Sequence, residues 1–347
     1  MAKAEKLPSG TWRVRVQYYD EYGKRHHKSI TGKTEAEALY KAEKETKRIQ
    51  YTKPEDSELT LEAAGENFIN SHINKLSPST VKGYRQTSRN FFPALFCKPI
   101  GKIENKDIQK AINEDVTHSP KSLSNAVGFI SIVLKEYRPD FIMSVKIPKK
   151  TTRNLKPIPS LEEVGIILSA CKGTNVEIAV NLAVYLGMRL SEVAGAKFED
   201  VNGFKLHIHS VVVSSENGFV EKDFTKNVSS TRIVNLPPHL VELIAEAKKT
   251  ATDPHLVPMT PSGIYKSFKR VLKNNNLPDY RFHDLRHLNA SIMLRLNVPT
   301  KYQMARGGWS TDSTLKTVYQ HTMADFSVEI DKQIYSFIDK LRVKSDT

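Results

Sequence analysis

The chain has 347 residues, a formal net charge of +14 at pH 7 and 39% hydrophobic residues. That is enough apolar material for cores in two or three domains, which excludes a disordered tail protein, and the spread of positive charge points to nucleic acid as partner. Two distant cysteines (Cys97 and Cys171), the lack of a long apolar run and a polar opening MAKAEKLPSG exclude a disulfide scaffold, a membrane span and a secretory leader, so a cytoplasmic protein is expected.

In chain order, three regions separate: 1–56, 57–150 and 151–347. In the first, Trp12, Val14, Val16 and Tyr18 alternate with Arg13, Arg15, Gln17 and Tyr19, the period of a strand with one apolar face. Glu21 to Lys24 supplies a turn, and Lys24 to Ile30 reads as a second strand with a basic face. Thr34 with Glu37 makes a capping box for a helix through Gln50. A strand face carrying Arg13, Arg15, Lys24 and Arg25 suits either open solvent or a DNA groove.

The second region has helical periodicity over 60–73, 79–92, 105–114 and 121–137, with a break at Pro99 and Gly101. It predicts a compact helical bundle without a chemical constellation. Lys82, Tyr84 and Arg85 mix cations with an aromatic on one helix, the composition of a DNA contact. A basic connector follows over 146–153, suited to a solvated linker or to a strap along phosphates.

The third region opens with Ser160 and Glu163, a second capping box. An apolar helix over 176–186 ends at Gly187. A strand is expected over 204–213, a hairpin turn at Asn217-Gly218 and a returning strand over 231–236. This sheet excursion holds Lys222 and Lys226. After Pro237-Pro238 the pattern is helical almost to the end. The expected architecture is multidomain and mainly α: a small N-terminal β-sheet plus helix, a helical bundle, and a mainly helical third domain with a small sheet or hairpin.

Two tempting motifs fail. His283-Asp284-Leu285-Arg286-His287 has the i, i+4 histidines of a helical zinc site, but Asp stands where the metalloprotease base is Glu, and Arg286 on the same turn opposes a dication. Gly32-Lys33-Thr34 resembles the end of a P-loop, but His27 stands where that loop needs glycine. No metal or cofactor is expected. Three other segments carry more. Arg189 lies at a helix junction just past Gly187, with Glu192 three residues on as its natural partner. His283 and Arg286 lie one helical turn apart, one suited to moving a proton and one to gripping phosphate oxygens. Gly307 to His321 contains Trp309 and Tyr319; a tyrosine on its own is usually core or surface.

Together and in order, these segments resemble the tyrosine recombinase (phage integrase) family. The family's pattern is Arg in G-x-R-x-x-E, Lys in a β-hairpin, H-x-x-R, then His or Trp after glycine, then Tyr. It is matched by Arg189 with Glu192, Lys226, His283 with Arg286, Trp309 and Tyr319. Lys226 in Thr225-Lys226-Asn227, followed by Thr231-Arg232, aligns with the family's lysine turn better than Lys222. Many members have Leu-Gly-His where this chain has Gly307-Gly308-Trp309; an indole N–H donates to a phosphate oxygen but shuttles no proton. The resemblance covers the whole third region. The second resembles the family's core-binding domain, and the first resembles the small arm-type DNA-binding domain of some phage and conjugative-element integrases.

The resemblance implies cofactor-free transesterification on double-stranded DNA at core and arm sites, with Tyr319 as nucleophile. It also implies a tetramer on DNA built by the final helix, where Phe326, Ile330, Ile334, Phe337 and Leu341 form an apolar stripe. Accessory excision or DNA-bending proteins would complete the assembly. A type IB topoisomerase is disfavoured by the arm-like first region and short hairpin, and a regulator with a degenerate site by the competent residue at every site position.

Overall fold

The computed structural model describes residues 4–19, 25–51, 59–148, 158–223 and 231–312, with the single positions Leu315 and Tyr335; of 18–19, 25–26 and 47–51 the backbone alone is described. The chain forms two compact units, Met1–Arg153 and Asn154–Thr347.

The first unit begins with an antiparallel sheet in the order β1 (Ala4–Lys6), β2 (Trp12–Tyr19), β3 (Arg25–Gly32). The expected alternation holds: Val14 and Val16 are buried against Ala38 and Ala42 of α1 (Glu35–Tyr51). The register puts Glu5, Arg13, Arg15, Gln17 and His27 on the opposite face. Strand β1 was not expected, because three residues are too few to show a period. Thr34 Oγ1 accepts from the Glu37 N–H at 3.2 Å, while the Glu37 carboxylate accepts from Lys33 N–H at 2.7 Å, one residue before the position a capping box uses.

A helical bundle completes this unit: α2 (Leu61–Ser71), α3 (Pro78–Asn90), the short α4 (Pro93–Phe96), α5 (Asn105–Glu114) and α6 (Pro120–Tyr137). Two starts share one device: Ser77 before Pro78, and Ser119 before Pro120. Each serine Oγ accepts an N–H of the first turn at 3.2 Å, while proline gives up an N–H that has no partner there anyway. The apolar faces meet in a core around Leu61, Ile69, Ile103, Phe129 and Ile130. Past α6 the chain is tied back to α5. Asn105 and Gln109, one turn apart, each use both ends of the side-chain amide, on Ile142 and Ser144 and on Lys146 respectively, at 2.7–3.1 Å. The connector therefore starts as a docked strap; its residues 149–153 lie outside the described residues.

The second unit runs α7 (Leu161–Cys171), α8 (Glu177–Leu186), α9 (Leu190–Gly195), β4 (Val201–Asn202), β5 (Lys205–Ile208), β6 (Ser210–Ser215), β7 (Gly218–Asp223), β8 (Arg232–Asn235), α10 (Pro238–Thr250), α11 (Pro261–Asn274), α12 (Phe282–Arg295) and α13 (Thr300–Gly307). Helix α8 is apolar nearly all round and contacts α7, α9, α10 and α12, as a buried central helix must. The single strand expected over 204–213 is broken at His209. Its imidazole lies 2.7 Å from Asp200 Oδ1 and 3.4 Å from an Asp223 oxygen, which holds the chain at the bend. β5 therefore joins β4 and β8 in one sheet, while β6 and β7 form a separate hairpin at Asn217-Gly218. No described helix is long and apolar enough to cross a membrane.

Candidate active site

The site is organised by the C-terminal end of α8. The last carbonyls of a helix have no partner within it and carry the negative end of its dipole. Gly187 lets the chain turn away at φ +65°, and a Cβ there would stand 2.8 Å from Asn289 Oδ1. Side chains of α12 and α13 then take the freed carbonyls. Asn289 Nδ2 donates to Val184 and Tyr185 oxygens at 2.8 and 3.1 Å, Arg306 donates to Tyr185 oxygen at 2.8 Å, and Arg286 Nη1 donates to Gly187 oxygen.

Arg189 follows immediately, at the junction before α9 as its spacing predicted. The Glu192 carboxylate reaches back to the Arg189 N–H at 2.9 Å and accepts from Arg189 Nη1 at 2.5 Å. Arg189 Nη2 donates to the Gly308 carbonyl at 2.8 Å. Glu192 is fully buried, whereas Arg189 leaves 32% of its side chain exposed, so the cation faces outward and its counter-ion lies beneath.

Sequence reading missed the third member of this network. Arg232 opens β8 and its side chain is 6% exposed. It donates through Nη2 and Nη1 to the two Glu192 oxygens at 2.9 and 3.3 Å, and through Nε to the Arg306 carbonyl at 2.8 Å. Burial pushes the Glu192 carboxyl up, but Arg232 first and then Arg189 outweigh it and hold the group below the usual carboxylate range. The strand pattern hid Arg232, because in Arg-Ile-Val-Asn the isoleucine looks like the inward residue. In fact Ile233 is 65% exposed and Arg232 is turned in beside Val234.

The first turn of α12 carries His283 and Arg286. Asp284 accepts from the Arg281 N–H at 2.7 Å and from the Arg281 guanidinium at 2.6 Å. The acid that spoiled the zinc pattern is thus part of the helix start. His283 and His287 rings meet edge-to-face at 4.7 Å. Burial first, then repulsion from His287, Arg286 and Arg189, pushes the His283 imidazole down to about 4, so it is neutral at pH 7. Arg286 is 1% exposed, and its guanidinium carbon lies 4.3 Å from the Trp309 ring centroid. Its Nη2 is buried with no hydrogen-bond partner among the described residues. Burial first, then the charge of Arg189, pushes Arg286 down to about 9; it is still a cation at pH 7.

The structure therefore brings together Arg189, Glu192, His283, Arg286 and Trp309. Lys222 lies on β7 opposite Val211, in a separate hairpin. Lys226, Tyr319, Lys24 and the apolar stripe Phe326, Ile330, Ile334, Phe337 and Leu341 lie outside the described residues, and the Arg25 side chain does too. Leu315 is buried in a cluster with Ala290, Met293 and Trp309. In the first unit Arg13 is paired with Glu5 at 2.7 Å and Arg15 is exposed. Arg85 is held between α2 and α3 by Glu66 at 2.5 Å and Asn70 at 3.2 Å, and Lys82 is half-buried beside it on α3.

The model of the phage integrase family matches residues 160–325. The chain is 27% identical over 176 residues to a putative prophage phiRv2 integrase of Mycobacterium tuberculosis, a match spanning 47% of this chain and 45% of that protein. It is 23% identical over 353 residues to a XerC-like tyrosine recombinase of Caldanaerobacter subterraneus, covering 88% and 90% of the two chains. Among solved structures, the Tn1549 transposon integrase in complex with a circular intermediate DNA superposes with a TM-score of 0.64 at 15% identity, over 79% of this chain and 99% of that one. A lambda integrase tetramer bound to a Holliday junction gives 0.54 at 15% identity, over 91% and 94%. At these identities the likeness to the solved structures is one of fold.

Proposed function

We propose that this chain, whose residues 160–325 match the phage integrase family, is a tyrosine recombinase of that family: a site-specific recombinase that cleaves and rejoins duplex DNA through a 3′-phosphotyrosyl link to Tyr319. Tyr319 attacks a phosphodiester and releases a 5′-hydroxyl; the 5′-hydroxyl of another strand then attacks the phosphotyrosine and restores the tyrosine. One phosphoester replaces another at each step, so no external energy source is needed. Arg189 and Arg286 hold the non-bridging oxygens as charge grows, Trp309 donates its indole N–H, neutral His283 takes the Tyr319 proton, and Lys226 protonates the leaving oxygen.

The observation that carries this reading is the Arg286 guanidinium, buried beside Arg189 with Nη1 on a helix-end carbonyl and Nη2 without a hydrogen-bond partner among the described residues. A buried cation with an open donor calls for an anion.

The region 1–56 serves as an arm-type DNA-binding domain through the sheet face of Arg13 and Arg15, with Lys24 and Arg25 as further cations of the same region. The region 57–150 serves as the core-binding domain, with Lys82 and Arg85 toward DNA, and 151–347 is catalytic. The relatives act for phages, prophages and transposons by name, so integration and excision of a mobile element is the role proposed. The Holliday-junction tetramer of lambda integrase supports a tetramer here, joined through the final apolar stripe. The test is covalent capture. The protein is mixed with a randomised pool of nicked duplexes, and strands that stay attached through denaturation are sequenced. One enriched sequence with a fixed cleavage point is expected; no adduct, or an adduct that survives Tyr319→Phe, would overturn the reading.

A further inference from the structure

Arg232 is part of the buried network yet, unlike Arg189, leaves almost none of its side chain exposed. The charge inventory explains what it does. Arg189, Arg232 and Arg286 set three cations against one carboxylate, Glu192. Glu192 is fully buried and must be neutralised from within. Both of its oxygens accept from Arg232, whose side chain is itself almost wholly buried and so has no route to a substrate.

We infer that Arg232 is a positioning residue: it neutralises Glu192 so that the charge of Arg189 stays available to the substrate, and it ties that pair to the end of α13 through the Arg306 carbonyl. This rests on the proposed phosphoryl transfer. A phosphodiester carries one negative charge, and its pentacovalent transition state approaches two. With Arg232 present, Arg189 and Arg286 together match that growing charge. Without it, Glu192 claims Arg189, and the mismatch is largest in the transition state. The loss should appear mainly in kcat, with KM little changed.

The test uses the full-length chain and a nicked duplex carrying the captured cleavage sequence. Arg232→Met is expected to lower single-turnover cleavage about 100-fold, the scale of one lost transition-state donor. Replacing the scissile phosphate by a neutral methylphosphonate removes one negative charge from substrate and transition state alike, and the deficit should shrink to under about tenfold. Adding Glu192→Gln to Arg232→Met removes the carboxylate that captures Arg189, and should restore most of the rate. Arg232→Lys, which keeps the charge, should stay within about tenfold of the wild type. An equal deficit on both linkages, or normal cleavage by Arg232→Met, overturns the inference. So does Arg232→Lys as impaired as Arg232→Met while melting like the wild type. Failure of the wild type to form any adduct would instead overturn the recombinase reading.

Discussion

Burial first, then His287, Arg286 and Arg189, hold His283 down to about 4, against an ordinary value of 6.5. Between those two values the unfolded chain binds a proton that the folded chain refuses. Stability from this group is therefore complete above pH 6.5 and falls as pH drops toward 4, by up to about 3 kcal/mol. His283→Asn should flatten that part of the curve when urea midpoints are compared at pH 7 and pH 5. A wild-type slope no steeper than the variant's would mean that His283 is not held neutral. In the proposed mechanism the same depression serves catalysis. A base must keep its lone pair, and His283 keeps it well below neutral pH. Single-turnover cleavage should lose no rate to His283 protonation between pH 7 and pH 5.5, so an acid limb centred near 6.5 would contradict the assignment. The neighbouring Glu192 was readable three residues after Arg189, because a carboxylate one helical turn away is the nearest counter-ion. Arg232 was not, because its partner lies 40 residues back in sequence and only folding joins them.

Helix ends do the positioning. The C-terminus of α8 collects Arg286, Asn289 and Arg306, and the C-terminus of α13 presents its last carbonyls to Arg189 and Arg232. Gly308 makes the second of these possible, with φ +65° and Arg232 Nη1 2.8 Å from where a Cβ would stand. Gly308→Ala should cost about 1–3 kcal/mol from backbone strain and displace the Arg232 guanidinium as well. Gly203→Ala is the control, since that residue has φ +57° but open space around it. Both variants should melt earlier, but Gly308→Ala alone should also slow cleavage by about tenfold or more. Equal cleavage rates would show that the α13 end is not part of the catalytic geometry. Helix ends were also the most legible elements, because glycine, serine and proline act through local backbone geometry. The break at His209 and the change of partner by β8 were not legible: the first depends on Asp200 and Asp223, and the second on which strand lies nearby.

Across the whole molecule the positive excess is the dominant electrostatic fact, and DNA affinity should fall steeply with salt. At the site this excess takes a concentrated form. A guanidinium held out of water, with Nη2 lacking a hydrogen-bond partner among the described residues, weakens the protein, because desolvated charge without a full set of partners is costly. An anion that fills the place should repair the deficit by mass action. Sulfate should therefore raise the melting temperature of the wild type more than that of Arg286→Met, with chloride at equal ionic strength as the reference; equal shifts would count against an anion seat. Arg286→Met should also melt above the wild type in the absence of sulfate, since a buried methionine needs no partner. A variant unable to recombine would then be the sturdier protein. Selection that rewarded folding alone would erode this site first, and the persistence of the arginine would record selection for the reaction rather than for the fold.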